Sequence, residues 1–184
     1  MNIDDKKWEI LCSEEDIKQK TNELGNLITE DYQDKNLYVI SLLRGSFIFC
    51  ADLVRAIDLK LNINFMISSS YGDGLQTSGK VTINKDVEED LTDYDVLLVD
   101  DIADSGLTLK HVMEHLKTKN PKSLKSCVLL NKPSRRLTDL EPDYCGFTIP
   151  DAFVVGYGLN YGDHYRNIPY VFIVTEEDRD RQEN

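Results

Sequence analysis

The sequence contains no C-x-x-C pair. Its four cysteines, at 12, 50, 127 and 145, stand far apart and follow no secretory leader pattern, so they read as reduced thiols of a cytoplasmic protein. No apolar run approaches the length that spans a bilayer, and no membrane partner is expected. Basic residues are scarce beside acidic ones, 21 against 33, and a net charge of −12 opposes the footprint of a nucleic-acid binder. Free nucleotides stay compatible with such a chain, because a local site can be basic. Internal repeats and low-complexity tracts are absent. What is present is 184 residues with 41% hydrophobic content, enough for one domain with a substantial core.

Periodicity divides the chain into alternating strands and helices, the mark of an α/β fold. Ser13-Glu14-Glu15-Asp16 resembles a capping box with a shorter acid in its third position and opens a helix to about Asp31. Residues 37–43 read as a buried strand, 46–57 as a helix with an apolar face, and 62–70 as an alternating strand. Residues 71–80 hold three glycines and break all periodicity, as a mobile loop does, before strand-like 81–83. Further strands are expected at 123–130, 147–149, 153–156 and 170–174. Residues 176–184 read as a charged, frayed tail.

One stretch concentrates chemistry. Val96 to Val99 are four apolar residues that suit a strand buried on both faces of a parallel sheet; Asp100, Asp101 and Asp104 follow, then Ser105-Gly106-Leu107-Thr108. Apolar residues at 109, 112, 113 and 116 have helical spacing, so the turn 104–108 opens a helix at the sheet edge where α/β proteins bind ligands. Free amides at a helix start, the hydroxyls of Ser105 and Thr108, and the small Gly106 together suit a phosphate. Acceptor-only carboxylates would repel that anion, so Asp100 and Asp101 suit ribose hydroxyls or Mg²⁺, a hard cation that prefers oxygen. The plainer reading, an acidic pair ending a strand with Ser105 as a cap, leaves the third acid and Thr108 unexplained. A Walker B strand is excluded because no G-x-x-x-x-G-K-[ST] string occurs.

This run resembles the phosphoribosyl-pyrophosphate (PRPP) motif of type I phosphoribosyltransferases, in the form carried by their hypoxanthine-guanine branch. The likeness spans nearly the whole chain, from the Ser13 helix to Pro169, and is strongest at 42–46, 70–72, 96–109 and 153–166. It implies that family's fold: a Rossmann-like central parallel sheet flanked by helices, with a small hood built from chain-terminal segments, in one domain over 1–184. The implied reaction is Mg²⁺-dependent displacement of pyrophosphate from C1 of PRPP by a purine nitrogen, yielding IMP from hypoxanthine or GMP from guanine, as in purine salvage. The alternative on the same fold is a regulatory protein that senses PRPP or nucleotides without turnover. Homodimers or homotetramers are implied as well.

The resemblance also distributes roles. Asp100, Asp101, Asp104, Ser105, Gly106, Leu107 and Thr108 would bind PRPP, with Asp104 as general base near N7 of the purine. Leu43, Arg44 and Gly45 at the other strand-to-helix junction, with a cis peptide between Leu43 and Arg44, would hold pyrophosphate together with Arg166. Ser70 and Tyr71 begin the loop that closes over the site. Lys132 would donate to the purine O6, Phe153 stack on the base, and Val154 contact its edge through the backbone. Asp104 points to a purine, since uracil-type relatives lack an acid there, and the donor Lys132 points to a 6-oxo group. Two departures stand out. Asp100 replaces a common glutamate, which keeps a carboxylate. Asn160, at the purine and metal end of the site, replaces an aspartate that usually ligates Mg²⁺ alongside Asp100 and Asp101. A neutral amide is a weaker partner, so a weakened metal site or altered base preference is expected.

Two other patterns carry less. Gly156-x-Gly158-x-x-x-Gly162 is one residue off the dinucleotide fingerprint and has no βαβ unit beyond it. His111-Val112-Met113-Glu114-His115 fits H-x-x-E-H, but both histidines fall opposite the apolar stripe of their helix, where a solvated face is expected.

Overall fold

The computed structural model describes residues 8–70 and 81–175. The capping box forms as expected: Asp16 N–H donates to Ser13 Oγ while the Asp16 carboxylate accepts from the Ser13 backbone, and helix α1 runs over Glu14–Asp31 after a short strand β1, Glu9–Cys12. Strand β2 is Leu37–Leu43, helix α2 Phe47–Ala56, β3 Asn62–Ser70 and β4 Val81–Lys85. Strand β5 runs over Asp95–Ala103, α3 over Leu107–Lys117, β6 over Ser123–Asn131 and β7 over Tyr144–Thr148. Strands β8, Val154–Val155, and β9, Val171–Ile173, end the described chain.

Six strands form the main sheet in the order β4-β3-β2-β5-β6-β7. All neighbours are parallel except β3 and β4, which pair antiparallel at the edge. Alternation along the central strands sorts side chains onto two faces. Leu37, Val39, Leu97 and Val99 pack with Ile17, Leu24 and Ile28 of α1 and Phe49 and Leu53 of α2. Tyr38, Ile40, Val96 and Leu98 pack on the other face with Leu109, Val112, Met113 and Leu116 of α3. A continuous apolar run is what a sheet covered on both sides demands. Among the described residues, no helix is long and apolar enough to cross a membrane.

A second sheet, ordered β1-β9-β8, joins the first described strand to the last. Its core is Val155, Ile168, Phe172 and Val174, bordered by Trp8, Phe153, Tyr161, Tyr165 and Tyr170. It brings the Phe153–Arg166 segment to the carboxyl edge of the main sheet.

Several expected bounds shift. Strand β5 runs through the two acids to Ala103 instead of ending before them, because β6 pairs with it as far as Ala103↔Asn131. The strand expected at 147–149 begins at Tyr144, which pairs with Cys127 of β6. Strand β4 extends two residues past Ile83, to Lys85. The strands expected at 153–156 and 170–174 contract to Val154–Val155, paired with β9, and Val171–Ile173, paired with β8 and β1.

Candidate functional site

Two strand-to-helix turns face one another at the carboxyl edge of the main sheet. The first follows β2. Ser46 is fully buried, bonds Ser41 Oγ through its own Oγ at 2.7 Å, and donates to Leu42 O at 2.7 Å. The Leu43–Arg44 peptide is cis. Gly45 has no room for a side chain: a Cβ there would stand 1.6 Å from Asp101 Oδ2. Its carbonyl meets the second sheet's loop, since a Cβ on Gly158 would lie 2.1 Å from Gly45 O. Gly158 in turn exchanges hydrogen bonds with Arg166, accepting from Nη1 and donating its N–H to Arg166 O at 2.9 Å. Burial, and next the charge of Arg44, hold the Arg166 guanidinium below its ordinary pKa, with Asp101 opposing. Arg44, Gly45, Asp101 and Arg166 therefore form one neighbourhood.

The second turn follows β5. Asp100 is 7% exposed, and burial, then the charge of Asp101, push its carboxyl well above the usual range. Burial also raises Asp101, against hydrogen bonding to it and the charge of Arg166. Each carboxylate accepts one nearby backbone N–H, Asp101 N to Asp100 Oδ1 at 2.9 Å and Ile102 N to Asp101 Oδ1 at 2.8 Å. The described residues hold no group of three or more metal-type side chains. Two adjacent carboxylates, Asp100 buried and Asp101 half-buried, are nonetheless a hard, oxygen-only donor pair. Such a pair fits Mg²⁺, which keeps several waters and takes substrate phosphate oxygens besides one or two carboxylates.

Past Ala103 the chain turns through Gly106, whose φ of +80° is the left-handed region, into the first turn of α3. Leu107 N–H points to Ser105 Oγ at 3.4 Å, and Leu137 N–H donates to Ser105 O at 2.8 Å. Asp104 looks across to two cations, Lys132 Nζ at 3.8 Å from Oδ2 and Arg135 Nε at 3.4 Å from Oδ1. Arg135 also reaches Asp151 at 3.6 Å. Lys132 is only 4% exposed and is tied to β5 by its N–H to Ala103 O at 2.9 Å, so it is not the solvated lysine that residue type alone would favour.

These residues line one open cleft of about 1190 Å³. Of the residues expected in the site, it gathers Leu43, Arg44, Gly45, Asp100, Asp101, Asp104, Ser105, Gly106, Thr108, Lys132 and Phe153. Four others are not on its wall. Val154 is buried in β8, paired with Ile173, and Leu107 turns its backbone toward Ser105. Arg166 is drawn to Gly158 O, and the Asn160 amide donates to Gly162 O. Tyr71 lies outside the described residues, as does the side chain of Ser70. The cleft adds Ser68, Ser134, Arg135, Arg136 and Asp151, which sequence reasoning passed over. The signal for two of them was the basic pair directly after Lys132-Pro133-Ser134 at a strand end. As for the H-x-x-E-H pattern, His111 is exposed, while His115 bonds Asp86 at 2.8 Å and so departs from the expected solvated face.

Comparison with known proteins gives a consistent result. The family model of the phosphoribosyl transferase domain matches residues 7–162. The chain is 47% identical to a hypoxanthine-guanine phosphoribosyltransferase of Aquifex aeolicus, over 93% of this chain and 97% of that one. It is 49% identical to a hypoxanthine phosphoribosyltransferase of Salmonella typhimurium, over 89% and 93%. Among solved structures, a hypoxanthine phosphoribosyltransferase from Staphylococcus aureus superposes with a TM-score of 0.88 at 45% identity, covering 92% of each chain.

Proposed function

The chain belongs to the phosphoribosyl transferase family, and from that premise we propose that it is a purine-salvage enzyme. It transfers the 5-phosphoribosyl group of PRPP to hypoxanthine or guanine, releasing pyrophosphate and IMP or GMP. One observation carries the reading: Asp104 and Lys132 stand 3.8 Å apart on the wall of a cleft that also holds Phe153 and the phosphate-type turn. An acceptor beside a donor at the base end suits a 6-oxopurine with a protonated N7.

The 5′-phosphate sits on the Ser105–Thr108 turn, at the positive end of α3. Arg44, the 43–45 backbone and Arg166 receive the pyrophosphate; planar guanidiniums match its oxygens. Asp100 and Asp101 address the ribose hydroxyls and would hold Mg²⁺, which supplies charge neutralisation to the departing pyrophosphate when bound. Bond breaking at C1 builds positive charge on the ribose, so positioning outweighs a strong nucleophile. Lys132 orients the base through O6 and Phe153 packs on its face. Asp104 accepts the N7 proton as N9 bonds to C1, which keeps charge off the base. Arg135, with Nε 3.4 Å from Asp104 Oδ1, adds a second positive charge beside that carboxylate. We assign the enzyme to the cytoplasm, a compartment with which four free cysteines are compatible, and to a homo-oligomer.

The deciding assay offers purified protein PRPP, Mg²⁺ and each of five bases, and follows nucleotide formation. Product with hypoxanthine or guanine is expected. Product with adenine alone overturns the role of Lys132, and nucleotide binding without product from any base overturns the enzymatic reading. Replacing Asn160→Asp and titrating Mg²⁺ is expected to lower the metal concentration needed for half-maximal rate. An unchanged titration with unchanged base selectivity removes Asn160 from the metal side of the site.

A further inference from the structure

Behind the β5–α3 turn lies a cation that the roles above leave without a task. Arg136 emerges from the short 3-10 turn Pro133–Arg135, and its side chain is only 7% exposed. Its Nη2 donates to Asn131 Oδ1 and lies 3.7 Å from Glu141 Oε2, on a side chain that is 62% exposed. Its other two nitrogens, Nε and Nη1, are buried with no hydrogen-bond partner. Guanidinium N–H groups left in that state are rare, because burial without a partner is costly.

The unpaired edge has a direction. A Cβ placed on Gly106 would stand 3.0 Å from Arg136 Nη1 and 2.8 Å from its Cδ. The same point is 2.4 Å from Thr138 Oγ1, which is also buried without a partner. The hydrogen bond from Leu137 N–H to Ser105 O, 2.8 Å long, fixes the 136–138 segment against the turn. Arg136 also lines the cleft together with Ser105, Gly106 and Thr108. Two unsatisfied polar groups thus converge on the glycine around which the phosphate turn is built. Backbone amides offer a phosphate dianion only partial charges, whereas a guanidinium offers a full one with paired donors.

We propose that Arg136 is a phosphate-binding residue of this cleft: its Nε–Nη1 edge supplies fixed positive charge to the 5′-phosphate held by the Ser105–Thr108 turn. The inference rests on the purine phosphoribosyltransferase reading and adds a residue to it.

The test compares a ligand that carries the phosphate with one that lacks it. Binding of IMP and of inosine is measured by calorimetry on the full-length wild type and on Arg136→Met, which keeps much of the length and loses the charge. Loss of a charge-assisted hydrogen bond is expected to weaken IMP by at least about tenfold. Inosine should change by less than about twofold, and the KM for PRPP should rise while the KM for the base holds. Arg136→Lys, with the charge but not the fork, should recover part of the loss. Equal losses for IMP and inosine would assign Arg136 to structure alone, and no loss for either would remove it from the site. Both outcomes overturn the proposal. If the methionine variant fails to fold, Arg136→Gln, which can still donate to Asn131, replaces it in the same comparison. A wild-type protein that binds neither IMP nor PRPP would overturn the underlying functional reading, an outcome distinguishable from the others because it precedes any substitution.

Discussion

At the end of β2 the turn satisfies itself, with Ser46 closing on Ser41 and Leu42 O, and Gly45 pressed against Asp101. At the end of β5 the turn leaves its partners open, with Nε and Nη1 of Arg136 and Oγ1 of Thr138 unpaired around Gly106. The topology is the same in both places, a buried parallel strand delivering a glycine turn to a helix. The difference lies in what each glycine makes room for. Gly45 admits a neighbouring carboxylate and so couples the two turns, whereas Gly106 adopts a backbone conformation and so shapes a cradle. A motif at a strand end is therefore only half a site; the groups crowding in from other elements decide which ligand atoms it serves.

Four substitutions break or sharpen that contrast. The largest effect is expected for Asp104→Asn, which keeps the turn but removes its proton acceptor. General-base loss should lower kcat about a thousandfold, with the KM for PRPP little changed; a drop under tenfold in steady-state assays would deny Asp104 that role. Next comes Gly45→Ala. Its Cβ must evict the Asp101 carboxylate from a point 1.6 Å away, and misplacement of that order costs roughly a hundredfold in kcat/KM. Because the displaced atoms end a side chain, thermal stability should fall little, and an active variant would mean the two turns are not coupled. Gly106→Ala forces a left-handed φ on alanine and drives a Cβ toward Thr138. The conformational term alone is about 1–2 kcal/mol, and denaturant unfolding should show it together with a raised KM for PRPP.

The smallest functional effect is expected far from both turns. Burial tends to raise the Asp86 carboxyl, but hydrogen bonds from Lys119, His115 and Val87 N–H outweigh it and hold the group below its usual range. A carboxyl depressed on folding contributes stability above its unfolded pKa, about 3.9, and loses it as pH falls through the lower folded value. Asp86→Asn should therefore cost about 0.5–1 kcal/mol near neutral pH, the scale of a part-exposed ion pair, and the deficit should close as the pH drops below 4. Urea unfolding at neutral and acid pH reads this directly, and kcat/KM should stay at the wild-type value throughout. A deficit independent of pH would mean the pair contributes packing and not charge.

Much of the architecture was legible because it is local. The Ser13 capping box, the buried run of β2 and the stripe of α3 each repeat within a few residues, and their bounds were read to within a residue or so. Strand β1 was missed because it is short and finds its partner, β9, more than 150 positions away. The start of β7 was misplaced because it is set by a long-range pairing, Tyr144 against Cys127 of β6, and not by a local pattern. In the candidate site, the glycine-flanked junctions at 43–46 and 104–108 announced themselves. Arg135 and Arg136 did not, since a basic pair after a strand reads as a solvated loop until burial and partners are known.

The sequence by itself determined the α/β alternation, the position of both strand-to-helix turns and the carboxylates beside the second, because hydrophobic period and turn chemistry act over short stretches of chain. Only the tertiary structure decided that Gly45 abuts Asp101, that Lys132 is buried against Asp104, and that the Nε–Nη1 edge of Arg136 stands unpaired beside Gly106. Those relations join residues tens of positions apart. They are set by which strands pair and how closely the backbones approach, which short-range patterns in the sequence do not encode.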